Sequence, residues 1–100
     1  SGWPLVTTDA VLLEVGNALS RIARHQCSQL IHSFHEAEEL TLIHMNPILF
    51  KQALHLFDRY HDKTWGLVDC LSFVVMREMN ITAALTFDRH FEQAGFRCAE

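Results

Sequence analysis

Cysteine pairs are missing from this sequence. Its three cysteines, Cys27, Cys70 and Cys98, are odd in number and widely spaced, with no CxxC among them. That disfavours a disulfide framework and leads to the expectation of a reduced, cytoplasmic chain. A basic excess is missing too. Eight Lys and Arg face twelve Asp and Glu, for a net charge of −4. Binding nucleic acid through a broad basic face is thereby disfavoured; a nuclease whose acids are neutralised by cations is not. No apolar run approaches the roughly 18 residues of a membrane span. The opening "SGWPLVTTDAV" lacks a basic region followed by an apolar core, so no secretory signal is expected. Repeats, low-complexity runs and linkers are absent, and 100 residues suggest one domain at most.

What the chain does have is apolar patterning. Hydrophobic residues make up 49% of it, enough to drive folding. "PLVTT" (4–8) reads as a short strand. Thr8 or Asp9 can cap a helix running to about His25, whose apolar stripe is Val11, Leu12, Val15, Leu19 and Ile22. A second helix is expected over about 27–38, carrying Leu30, Ile31 and Phe34, and a strand over 40–45. Pro47 suits the start of a third helix, with Leu49, Ala53, Leu56, Phe57 and Tyr60 as its stripe. After the turn "HDKTWG" (61–66), "LVDCLSFVVMREM" (67–79) is apolar on nearly every side and predicts a buried helix. A strand over 81–87, a helical turn to Gly95 and a last strand in "FRCAE" complete the order. Strands alternating with helices, without tight hairpin signals, predict an α/β three-layer sandwich with a mainly parallel sheet. In such sheets chemistry collects beyond the carboxyl ends of the strands.

Three carboxylates sit where that chemistry would be. Asp69 falls in the first turn of the buried helix, on the same face as Phe73 and Met76. It is either a helix-dipole contact or a functional acid needing a partner. Asp88 ends a strand and can serve simply as a helix cap. Glu14 borders an apolar stripe, with Asn17 and Arg21 on the same face, and can be an ordinary solvated residue. Taken together, all three lie near a strand end or a helix start, positions that converge on one edge of a parallel sheet. Their mutual repulsion would be relieved by a divalent cation, and oxygen-only ligands select Mg²⁺ or Mn²⁺. "HSFH" (32–35) has a spacing zinc could use, but no further ligands accompany it. Arg21, Arg89 and His90 could meet RNA phosphates or be plain surface residues. Cys70 and Cys98 read as small core residues, and Trp65 as packing for the turn.

"LVTTDAVLLEVGNAL" (5–19) and "DKTWGLVDCLSFVVMREMNITAALTFDRHFEQAGF" (62–96) resemble PIN domains of the VapC toxin type. The first segment is similar to the family's strand and helix bearing a glutamate and, three residues on, an asparagine. The second is similar to its "D-hydrophobic-S-F" helix and "T-x-D-x-x-F" strand end. The resemblance implies a metal-dependent endoribonuclease acting on RNA phosphodiesters, commonly paired with an antitoxin protein. It makes Glu14, Asp69 and Asp88 metal-site acids that hold Mg²⁺ or Mn²⁺, with Asn17 and Thr86 as supporting polar groups. Two departures accompany it. The turn "WGLVD" lacks the hydroxyl usual before the middle aspartate. The family also begins with a strand ending in an aspartate, and this sequence starts at what should be the second strand. The expectation is an N-terminally shortened PIN-like domain, a fragment or a short form. A catalytically inactive binding or assembly module is the alternative function. Unpaired strand edges then favour a homodimer.

Overall fold

The computed structural model describes residues 5–86 and 88–99. Pro4, Phe87 and Glu100, read above as ends of strands, lie outside the described residues. The elements run β1 (Leu5–Thr8), α1 (Asp9–Leu19), α2 (Arg24–Glu36), β2 (Leu40–Ile43), α3 (Pro47–Arg59), α4 (Leu67–Glu78), β3 (Ala83–Leu85), α5 (Arg89–Gln93) and β4 (Arg97–Ala99). This is the order the patterning predicts. Two compact units are present, one ending at Met45 and one beginning at Asn46.

In the first unit β1 and β2 pair in parallel, from Leu5 opposite Leu40 to Thr8 opposite Ile43. A parallel pair needs a long crossover, which α1 and α2 supply. Thr8 ends the strand and caps the helix: its hydroxyl accepts from the Val11 amide at 3.2 Å. The next residue, Asp9, reaches back to the end of β2. It accepts from the Met45 amide at 3.0 Å and lies 3.1 Å from His44 Nδ1. Burial alone pushes the Asp9 carboxyl up. The Met45 amide and His44 outweigh that and hold it below the usual carboxylate range.

The first helix stops earlier than its periodicity suggests. The helix expected to run to about His25 ends at Leu19, and Ile22, the last residue of its stripe, is 81% exposed. Polar side chains serve the carbonyls freed there. Ser20 Oγ bonds the Asn17 carbonyl at 3.1 Å, and Arg24 Nε bonds the Ser20 carbonyl at 3.2 Å. The chain restarts as α2 at Arg24, three residues before the expected position, with Cys27 buried and Ile31 and Phe34 half-buried. Leu30 falls off that face and is exposed. On the other side, β2 ends at Ile43, two residues before the expected end, where the Met45 amide turns to Asp9.

The second unit is built on α4. Cys70, Leu71, Phe73, Val75 and Met76 are all buried, as expected of a helix apolar on nearly every side. Each large side chain so buried contributes roughly 1.5–3 kcal/mol. Against it lies α3, with Pro47 in its first turn, Asn46 capping the Leu49 amide at 2.9 Å, and Ala53 and Leu56 buried. Phe57, assigned above to the stripe of α3, is exposed instead. Phe73 is fully buried and stands at the centre of an aromatic cluster. Its ring meets Trp65 and Phe91 edge-on at 5.0 and 4.9 Å, and Phe96 at 5.7 Å. Tyr60 adds a further contact to Trp65 at 4.9 Å.

β3 and β4 pair in parallel, Ala83 opposite Arg97 through Leu85 opposite Ala99. Two Schellman endings bracket this pair's connections. After α4, the Ile81 amide bonds the Met76 carbonyl at 2.8 Å and the Asn80 amide bonds the Arg77 carbonyl at 3.2 Å, with Asn80 at φ 57°. After α5, Phe96 and Gly95 repeat the arrangement on Phe91 and Glu92, with Gly95 at φ 97°. The strands are those of the expected α/β class, and they occur as two parallel pairs.

Candidate metal centre

Asp69 is held before any ligand arrives. Its helix is capped by Gly66, which has no side chain to offer. The Asp69 carboxylate therefore reaches back, and its Oδ2 accepts from the Gly66 amide at 3.0 Å. This is half of a capping box. It answers the burial question raised by the sequence, since the carboxylate is only 22% exposed. Just beneath it, burial and the neighbouring Asp69 charge push the Cys70 thiol up, so it stays protonated and inert.

Asp88 plays the bland role and more. It is the N-cap of α5, and its Oδ1 accepts from the His90 amide at 2.9 Å. Thr86 Oγ1 accepts from the Asp88 amide at 2.9 Å, which fixes the turn that carries the carboxylate. Asp88 stays 43% exposed, open to solvent at the end of β3.

His90 joins the two. Its Nδ1 lies 3.1 Å from Asp69 Oδ2 and 3.3 Å from Asp88 Oδ1, and its Nε2 lies 3.1 Å from Thr64 Oγ1. Asp69, Asp88 and His90 each present one donor atom within 4.8 Å of the others, close enough to share a metal ion. The imidazole is only 26% exposed. The sequence offers His90 as a phosphate contact or as a plain surface histidine, with no sign of its place between the two carboxylates. Both of its ring nitrogens are engaged inside the site. Thr64 went unnoticed as well, although it stands in the same "HDKTWG" turn. The hydroxyl absent from "WGLVD" is present five residues before Asp69.

The aromatic cluster sets this geometry. Phe91 and Phe96 anchor α5 and its following turn on Phe73 of α4. The neighbours of Phe91 in sequence, His90 and Asp88, are thereby brought to the first turn of α4, where Asp69 stands. All of these residues belong to the second unit. Glu14, Asn17 and Arg21 belong to the first and are exposed there, as Arg89 is in the second. His32 and His35, the zinc-like pair, are both exposed, and His35 Nδ1 lies 3.0 Å from the Ile31 carbonyl of its own helix. Two carboxylates and an imidazole fit a divalent cation in donor type and in separation.

Comparison with known proteins places the same residues in context. A model of the PIN domain matches residues 4–97. The 23S rRNA-specific endonuclease VapC20 of Mycobacterium tuberculosis, in strains CDC 1551 / Oshkosh and H37Rv, is 29% identical over 92 residues. The match covers 92% of this chain and 70% of the relative. The crystal structure of Mycobacterium tuberculosis VapC20, described as a Sarcin-Ricin loop cleaving toxin, superposes with a TM-score of 0.84 at 29% identity. It covers 95% of this chain and 74% of that one.

Proposed function

The chain belongs to the PIN-domain family, and from that premise we propose that it is a divalent-metal-dependent endoribonuclease of the VapC toxin type. One observation carries the reading. Asp69 and Asp88, 19 positions apart in sequence, present carboxylate oxygens within 4.8 Å of each other. A bound Mg²⁺ or Mn²⁺ supplies Lewis-acid charge at a phosphodiester undergoing hydrolysis. The chain's own residues do the rest. Asp69, fixed by the Gly66 amide, and Asp88, fixed by the His90 amide, would hold the ion. Thr86 stiffens the turn under Asp88. Glu14 is the third acid and Asn17 its polar support, on the strength of the "E-V-G-N" spacing. Arg21 and Arg89 are the proposed contacts to RNA phosphates.

The 23S rRNA-specific, sarcin–ricin-loop-cleaving activity of the VapC20 relatives makes a structured ribosomal RNA loop the first substrate class to try. An antitoxin protein is the proposed regulatory partner. A second copy of the chain is proposed as well. Phe50, Leu54 and Phe57 form an exposed apolar stripe on α3, which supports a protein partner there. The buried thiols of Cys27 and Cys70 suit a reducing compartment, the cytoplasm. No helix among the described residues is long and apolar enough to cross a membrane.

The test is cleavage of a sarcin–ricin loop oligonucleotide and of a mixed RNA pool in Mg²⁺, Mn²⁺ and EDTA. Cutting that needs the metal and disappears in Asp69→Asn is expected. A folded chain that binds Mn²⁺ no better than Asp69→Asn, and cuts neither RNA, would sink the reading.

A further inference from the structure

The acids alone would make an oxygen-only site. The structure puts a nitrogen between them. We propose that His90 is a direct ligand of the divalent cation through Nδ1, and that it biases the site toward Mn²⁺ over Mg²⁺. This rests on the metal-site reading above and adds to it a ligand type and a selectivity.

Two observations carry it. The first is spacing. Donors at right angles around an ion with bonds of about 2.1 Å lie about 3 Å apart. His90 Nδ1 is 3.1 Å from Asp69 Oδ2 and 3.3 Å from Asp88 Oδ1, so all three can face one ion with little movement. The second is the far side of the ring. Ligating histidines generally donate their other N–H to an oxygen that fixes tautomer and orientation. Thr64 Oγ1, 3.1 Å from His90 Nε2, can accept that proton; with a cation between the carboxylates, the Nδ1 that otherwise donates to Asp69 and Asp88 would then offer its lone pair to the ion. The turn bearing Thr64 is itself tied down, because the adjacent Trp65 donates Nε1–H to Gln93 Oε1 at 2.8 Å. His90 is thus held by its own backbone on one side and by Thr64 on the other.

Selectivity follows from the donor set. Mg²⁺ favours carboxylate, carbonyl and water oxygens, whereas imidazole suits the later first-row divalent ions, with Mn²⁺ the hardest of them. Replacing one oxygen by nitrogen therefore moves preference from Mg²⁺ toward Mn²⁺.

The experiment is pulsed electron paramagnetic resonance on the Mn²⁺-loaded chain, with calorimetric Mn²⁺ and Mg²⁺ affinities. The wild type should show nitrogen modulation from a directly bound imidazole. Growing the protein with ¹⁵N-histidine should change that pattern while leaving every side chain native. His90→Ala should abolish the modulation and lower the Mn²⁺-to-Mg²⁺ affinity ratio, on the order of tenfold. Mn²⁺ bound without nitrogen modulation in the wild type would overturn the His90 ligand and leave the carboxylate site standing. Modulation that survives His90→Ala would overturn it too, by assigning the nitrogen elsewhere. No specific Mn²⁺ binding at all would overturn both this proposal and the reading beneath it.

Discussion

Trp65 donates its indole N–H to Gln93 Oε1 at 2.8 Å, across 28 positions of sequence. The bond joins the turn before α4 to α5. Thr64 and His90, which flank its two ends, are held in contact by it. Trp65→Phe keeps an aromatic ring but removes the donor and some ring area. Urea denaturation should show a loss of about 1 kcal/mol, and Mn²⁺ affinity should fall as α5 loosens. Unchanged Mn²⁺ affinity would mean that the aromatic cluster alone fixes His90.

Phe73 is the keystone of that cluster. Phe73→Ala removes the partner of Trp65, Phe91 and Phe96 together, and core Phe→Ala changes cost roughly 3–5 kcal/mol. A domain with about 5–15 kcal/mol in total would be left marginal. Phe73→Leu should be much milder. A two-state denaturation series on the pair measures both.

The two left-handed residues should respond with opposite signs. Asn80, at φ 57°, tolerates its conformation; glycine adopts it freely. Asn80→Gly should be neutral to slightly stabilising. Gly95→Ala, at φ 97°, should cost about 1 kcal/mol, although open space surrounds the position. Melting temperatures of the two variants should bracket the wild type.

The two acids should be separable by stability. Asp69→Asn can keep the contact to the Gly66 amide through its amide oxygen, so folding should change little while Mn²⁺ affinity and RNA cleavage drop. Asp88→Ala removes a proposed metal acid and a helix cap together, and should also cost about 1 kcal/mol of stability. Glu14→Gln tests the proposed third acid. Its Mn²⁺ affinity should fall with the fold intact, and equal affinity would remove Glu14 from the site.

Asp9 predicts an acid-side effect in the first unit. Its carboxyl is lowered in the folded chain, so the charged form stabilises the fold above the ordinary carboxylate range. That contribution is lost as pH falls through the lowered folded value. Asp9→Asn should flatten the stability profile on the acid side. A profile identical to wild type would show that the His44 and Met45 contacts contribute nothing.

Element order was legible from the residues alone, because hydrophobic period and end signals are local. Thr8 and Asn46 cap the helices they precede, and the run 67–79 is buried because it has almost no polar face to expose. The match of Asp69 and Asp88 to a family pattern was legible for the same reason. Helix ends were less so. The stripe through Ile22 is helical in period, but Ser20 and Arg24 satisfy the carbonyls of a stop that periodicity cannot see. What only the tertiary structure decided is the company each acid keeps. Sequence places His90 two residues after Asp88 and gives it no direction. It turns inward because Phe91, its neighbour, must bury its ring on Phe73, and because Trp65, locked to Gln93, brings Thr64 to its far nitrogen. Those are contacts across 18 to 28 positions, set by side-chain packing and not by any local rule. They turn two separately ordinary caps and a surface-looking histidine into one cluster.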